Sequence, residues 1–168
     1  TNSAHELVAL DLRSGSSVVL GDLGQPVSAL AFGPGGELIG VDHQQPALLS
    51  IDVASADSTP LAVISMALSA AGPHHISIDR GGTCWVADGA RLLILDRSGL
   101  ARLEREFTQP IASLVSEGES LLVMLDDGTL LRVDKKGVTR ALAPLRDDLD
   151  GSMAIDLRGE ILHLDRDG

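Results

Sequence analysis

Short apolar runs that end in aspartate recur along this chain at a nearly constant interval, and that recurrence limits the possible folds more than any other feature. Leu-Val-Ala-Leu-Asp11, Leu-Leu-Ser-Ile-Asp52, Leu-Leu-Ile-Leu-Asp96 and Leu-Leu-Arg-Val-Asp134 are spaced 41, 44 and 38 positions apart. A second series, Leu-Ile-Gly-Val-Asp42, Cys-Trp-Val-Ala-Asp88, Leu-Val-Met-Leu-Asp126 and Leu-His-Leu-Asp165, is spaced by 46, 38 and 39. Two interleaved series with a common period mean one repeating unit, and the runs have the length of strands. No stretch carries apolar residues at i, i+3 and i+4 over ten or more positions, as a helical repeat would. The punctuation agrees with strands. Asp79-Arg-Gly-Gly82, Asp96-Arg-Ser-Gly99, Asp134-Lys-Lys-Gly137, Asp156-Leu-Arg-Gly159 and Asp165-Arg-Asp-Gly168 place Asp at the start of a turn and Gly three residues later. There the carboxylate accepts from a turn amide and the glycine takes the positive φ.

A period of roughly 40 residues built from four short strands is the signature of a β-propeller blade. The first complete unit reads as strands at Val27–Phe32, Glu37–Val41, Ala47–Ile51 and Leu61–Met66. The second reads His75–Ile78, Thr83–Ala87, Arg91–Leu95 and Leu100–Phe107, and the third Ile111–Val115, Ser120–Leu125, Thr129–Val133 and Val138–Leu142. The tail, Ser152–Ile155 and Glu160–Leu164, supplies two inner strands, and the head, Glu6–Leu10 and Ser17–Leu20, two outer ones. The expected fold is therefore all-β: one domain over residues 1–168, a small propeller of about four four-stranded blades. Its repeats run over 25–71, 72–108, 109–149, and 150–168 joined with 1–24. Joining head to tail would complete the fourth blade and remove the exposed strand edges. The alternative is an open fragment that shares blades with another chain.

The formal charge is −11, from 13 basic and 24 acidic side chains, and the basic residues are scattered. That argues against nucleic acid, which demands clustered Lys and Arg, and against an anionic membrane surface. The longest nearly apolar run, Leu61 to Ala71, is far short of the roughly 20 residues of a spanning helix, so no membrane insertion is expected. The single Cys84 cannot form an internal disulfide. With 44% hydrophobic residues, a chain of this length can bury about 70% of its unfolded surface. Thr1 reads as a processed terminus or as the edge of an excised fragment.

The segment Pro73-His74-His75-Ile76-Ser77-Ile78-Asp79-Arg80-Gly81-Gly82-Thr83-Cys84-Trp85-Val86-Ala87-Asp88 resembles the NHL and streptogramin-lyase-like propellers. Their blades typically read Pro-His-x-Ile-x-x-Asp-x-x-Gly-x-x-Trp-Val-x-Asp. Other units keep less of it: Gln25-Pro26-Val27 and Gln109-Pro110-Ile111 have no His, and Asp150-Gly151-Ser152 has neither Pro nor His. The resemblance implies a propeller and an exported bacterial protein, periplasmic or extracellular. It also implies that His74 and His75 lie near the rim of the central channel, where catalytic members place a base or a metal ligand.

The residues themselves give that site little company. The equivalent positions of the other units are Val27, Ile111 and Ser152, so a ring of metal ligands is missing. Asp42, Asp88, Asp126 and Asp165 end equivalent strands and would form a carboxylate ring, yet an Asp in that place more simply caps its turn. Asp147-Asp148-Leu149-Asp150-Gly151 lacks the downstream Glu of a calcium loop, and Gly33-Pro34-Gly35-Gly36 lacks the Lys-Ser/Thr of a phosphate loop. No metal site and no cofactor is expected. Trp85 and Cys84 are neighbours on one strand and face opposite sides, Trp85 as blade-to-blade core and Cys84 as a small buried hydrophobe. The leading expectation is a non-catalytic interaction or scaffold module with a protein partner or self-association. The alternative is a lyase or hydrolase with His74 or His75 as its base. Ligand contacts, if any, fall to His74, His75, Asp42 and Asp88.

Overall fold

The computed structural model describes residues 5–70, 74–96, 98–142, 151–155 and 161–165. Among them the chain forms strands joined by turns, and every pairing is antiparallel. A first ribbon pairs β1 (Glu6–Leu10) with β2 (Ser17–Asp22). Three four-stranded sheets follow. The first is β3 (Val27–Phe32), β4 (Leu38–Asp42), β5 (Ala47–Ile51) and β6 (Ser58–Val63). The second is β7 (His74–Ile78), β8 (Cys84–Asp88), β9 (Arg91–Leu95) and β10 (Ala101–Glu106). The third is β11 (Ile111–Glu117), β12 (Ser120–Leu125), β13 (Leu130–Asp134) and β14 (Thr139–Ala141). A last ribbon pairs β15 (Gly151–Ile155) with β16 (Ile161–Asp165). Each full sheet is a meander in chain order, and the first strands β3, β7, β11 and β15 lie next to one another in sequence along the inner side.

Alternation along the strands explains how the sheets stack, since side chains one apart point to opposite faces. Cys84 and Val86 of β8 join Ile39, Val41 and Leu48 in the core between the first and second sheets. Trp85 and Ala87 of the same strand join Ile111, Leu121 and Val123 between the second and third. Leu7 and Leu23 pack on Leu38, Leu49 and Ile51, so the first ribbon covers the outer face of the first sheet. The middle strands are therefore largely apolar on both faces and mostly buried, β4 and β8 completely.

The turns behave as their sequences require. Asp79 Oδ1 accepts from the amides of Gly81 and Thr83 at 2.8 and 2.9 Å. Asp96 Oδ1 accepts from Ser98 and Leu100, and Asp134 Oδ1 from Lys136 and Val138. Gly82, Gly99 and Gly137 follow at φ of 78°, 77° and 76°. Two of these glycines also touch the preceding sheet. A Cβ on Gly99 would lie 2.5 Å from the carbonyl oxygen of Val63, and one on Gly137 2.5 Å from the Leu103 side chain. Ala56, at φ 61°, meets Gly21 of β2 in the same way, so each third-to-fourth-strand turn presses on the outermost strand before it. That recurrence identifies β2 as an outermost strand and the first ribbon as the outer half of a blade.

Two expectations need correction. Among the described residues the head and tail do not join into a fourth blade: β1–β2 and β15–β16 are separate two-stranded sheets at opposite ends of the series. Each ribbon satisfies its own ladder, Leu10↔Ser17 in one and Ile155↔Ile161 in the other, and no ladder links the two. The outer strand of the first sheet is Ser58–Val63 rather than Leu61–Met66, because the turn closes earlier, with Asp57 returning its carbonyl to the amide of Asp52. Pro60 is accommodated there because an outermost strand needs donors on one side only.

Candidate functional site

The second-strand ends and the first-strand starts lie at the same end of every sheet, as the pairs Val27↔Asp42, His74↔Asp88 and Gly151↔Asp165 show. Strand topology thus gathers His74, His75 and the strand-ending aspartates at one rim. It adds a residue that the sequence did not announce. His43, in the turn between β4 and β5, lies against His74 with ring centroids 5.3 Å apart and planes 24° apart, bridging the first and second sheets.

Asp88 is the hub of this rim. Its side chain is fully buried, and the amide of Ser69 donates to both of its oxygens at 3.1 Å. The Arg91 guanidinium closes on Oδ2, while also donating to the carbonyl of Ala67 and reaching Glu104. Asp88 and Arg91 are cross-strand partners over a two-residue turn, so this pairing was readable from Asp88-Gly-Ala-Arg91. The contacts of Ser69 and His43 were not, since both come from loops that tertiary packing brings in. His74 Nε2 stands 3.5 Å from Asp88 Oδ1, with its side chain only 3% exposed.

The remaining expected site residues divide. Asp42 is buried and accepts from the amides of Gln44 and Gln45 at 2.8 and 3.0 Å, which is a turn cap. Asp126 is exposed. The side chain of Asp165 and the segment Asp147–Asp150 lie outside the described residues. Among the described residues no three His, Cys, Asp or Glu side chains converge as a metal would need.

Burial pushes the His74 imidazole below its usual value, the nearby Asp88 carboxylate pulls it back in part, and His43 adds to the depression. Burial lowers His75 too, joined by His74 and opposed by Asp126. Nδ1 of His43 and Nε2 of both His74 and His75 are buried without a hydrogen-bond partner. His74 and His75 are therefore held as neutral imidazoles at neutral pH. A histidine whose native pKa is depressed stabilises the fold only while neutral, so stability is complete above about pH 6.5 and falls as pH drops below it. Asp79 acts in the same sense but in a lower window: burial raises it, the Thr83 amide and the Lys135 ammonium outweigh that, and its contribution is lost only below about pH 4. The expected result is a lower urea midpoint at pH 5.5 than at pH 8, with the difference reduced in His75→Gln. A midpoint flat between those values would refute the buried neutral pair.

No protein-family model and no curated protein matches the chain. Solved structures do. A nidogen/laminin complex superposes over 96% of this chain and 67% of its own, with a TM-score of 0.71 at 14% identity. Virginiamycin B lyase from Staphylococcus aureus matches over 98% of this chain and 57% of its own, with a TM-score of 0.66 at 11% identity. The β-propeller domain of Myceliophteria thermophila Cps50 (Swd1) matches over 69% of this chain and 39% of its own, with a TM-score of 0.53 at 15% identity. The chain has a β-propeller fold. It spans between 39% and 67% of the length of these propellers, so the sheets are blades and the rim residues line one end of the inner strands. At such identities the likeness concerns the fold, and function must be argued from the site.

Proposed function

We propose that this propeller is a non-catalytic module that binds a protein partner or another copy of itself. The observation that carries the reading is the state of the rim. The one carboxylate placed to orient His74 is fully buried and spent on the Ser69 amide and Arg91, so the pair braces the junction of two blades instead of facing a substrate. Binding has a surface to use. Val8 and its cross-strand partner Val19 are exposed on the first ribbon, with Leu10 on the same face, in a chain whose aromatic content is only 2%. One of the similar structures is a nidogen/laminin complex, which fits an interaction role.

The second reading, a lyase or hydrolase, draws on His75, whose Nε2 has no partner and whose pKa Asp126 tends to raise. Similar structures include a virginiamycin B lyase with quinupristin and a puromycin hydrolase. One paired experiment separates the two. The chain is incubated with quinupristin and with puromycin under mass-spectrometric detection, and crosslinked in extract of its source beside Val8→Asp/Val19→Asp. Intact drugs and a crosslinked partner lost in the double variant are expected. Turnover that disappears in His75→Ala, with crosslinks indifferent to Val8 and Val19, would establish the enzyme instead.

A further inference from the structure

At the opposite end of the strands from the histidine rim, the first and second blades part to leave a cavity of about 350 Å³. That volume lies in the range of small-molecule sites. Ile39, Leu48 and Cys84 form its buried interior, and Leu61 and Ile78 its walls. All five belong to strands or turns of the two blades, so the space is part of the blade junction rather than a fold of one loop. The polar lining is sparse. Ser50 projects from β5, and the two titratable groups at the mouth are both carboxylates, Glu37 and Asp96.

These carboxylates differ. Asp96 is held by the Ser98 hydroxyl and amide and by Arg102, whose Nε lies 3.0 Å from Oδ2. Glu37 has no cationic partner among the described residues. Its carboxylate folds against Gly33 and Gly35, where a Cβ on Gly35 would stand 2.6 Å from Oε2, so the lack of a side chain at these two glycines is what lets the charge sit at the opening. The pocket therefore combines an apolar interior with an uncompensated negative charge at the entrance.

We infer that this interblade cavity binds a small cationic amphiphile, an alkyl- or arylalkyl-ammonium whose apolar part enters between Leu48 and Cys84 and whose ammonium meets Glu37. The overall charge of −11 favours the same sign of ligand. The site is independent of the interaction role proposed above, since none of its lining residues belongs to the first ribbon.

The test uses the whole chain with n-hexylammonium and hexanoate as probes, followed by ligand-observed NMR. Hexylammonium is expected to bind about tenfold more tightly than hexanoate, and Glu37→Gln to erase most of that preference, as loss of one charge-assisted contact would. Leu61→Trp, at a half-exposed position of the outer strand, fills the mouth and is expected to abolish binding of both probes without unfolding the chain. Equal affinity for the two probes, no binding of either, or binding unchanged in Leu61→Trp would each overturn the inference.

Discussion

Replacing Trp85 by Ala is expected to lower the unfolding free energy by about 3–5 kcal/mol, the usual cost of truncating a large buried aromatic. Trp85 is completely buried on β8, the second strand of the middle blade, and its ring fills the space against Ile111, Leu121 and Val123 of the next blade. Because such side chains fill the junction between blades, the cavity would weaken the junction itself as well as one sheet. Against the 5–15 kcal/mol typical of a whole domain, such a loss is severe. Trp85→Phe separates packing from polarity. The indole Nε1 has no hydrogen-bond partner, so Phe sheds some ring volume but also removes an unpaired buried donor. Urea unfolding should place Phe well above Ala. An Ala variant within about 1 kcal/mol of the parent would mean that this ring is not core, since truncations of real core aromatics cost more.

Removing the Asp88 carboxylate is expected to cost about 3 kcal/mol, because breaking a buried ion pair leaves its partners uncompensated. In Asp88→Ala the Ser69 amide loses both of its acceptors, and Arg91 keeps only the Ala67 carbonyl and Glu104. The same change has a titration signature. Asp88 is the group that raises the pKa of His74 against burial and His43, so its removal should depress His74 further. Asp88→Asn keeps the shape and much of the hydrogen bonding, and should fall between parent and Ala in stability. The imidazole resonance of His74, followed by NMR from pH 4 to 8, checks the electrostatic part. A His74 titration unmoved in Asp88→Ala would show that the 3.5 Å approach has no electrostatic consequence.

Both substitutions also show how far the amino-acid order alone could be read. The opposite facings of Cys84 and Trp85 follow from strand alternation, and the structure places Cys84 against the first blade and Trp85 against the inner strands of the third. The pairing of Asp88 with Arg91 follows from two charges flanking a two-residue turn. The Asp-to-Gly turns could be assigned with their bonding, because a carboxylate reaching amides two to four residues ahead and a glycine at positive φ are local matters. His43 against His74 could not be found this way. The two rings are 31 positions apart in sequence, one on a turn of the first blade and the other at the start of β7 in the second, and no period or motif links them.

The chain's own order determined the repeat, the strands, the turns and which face of each strand is apolar, since all of these depend on neighbours within a few residues. Tertiary structure alone decided the rest: that the end ribbons stay apart, that Asp88 is committed to Ser69 and Arg91, and that a cavity with Glu37 at its mouth opens between the first two blades. The physical reason is that these features depend on the angle and spacing between stacked sheets. Those quantities come from the summed packing of many side chains, and no local pattern encodes them.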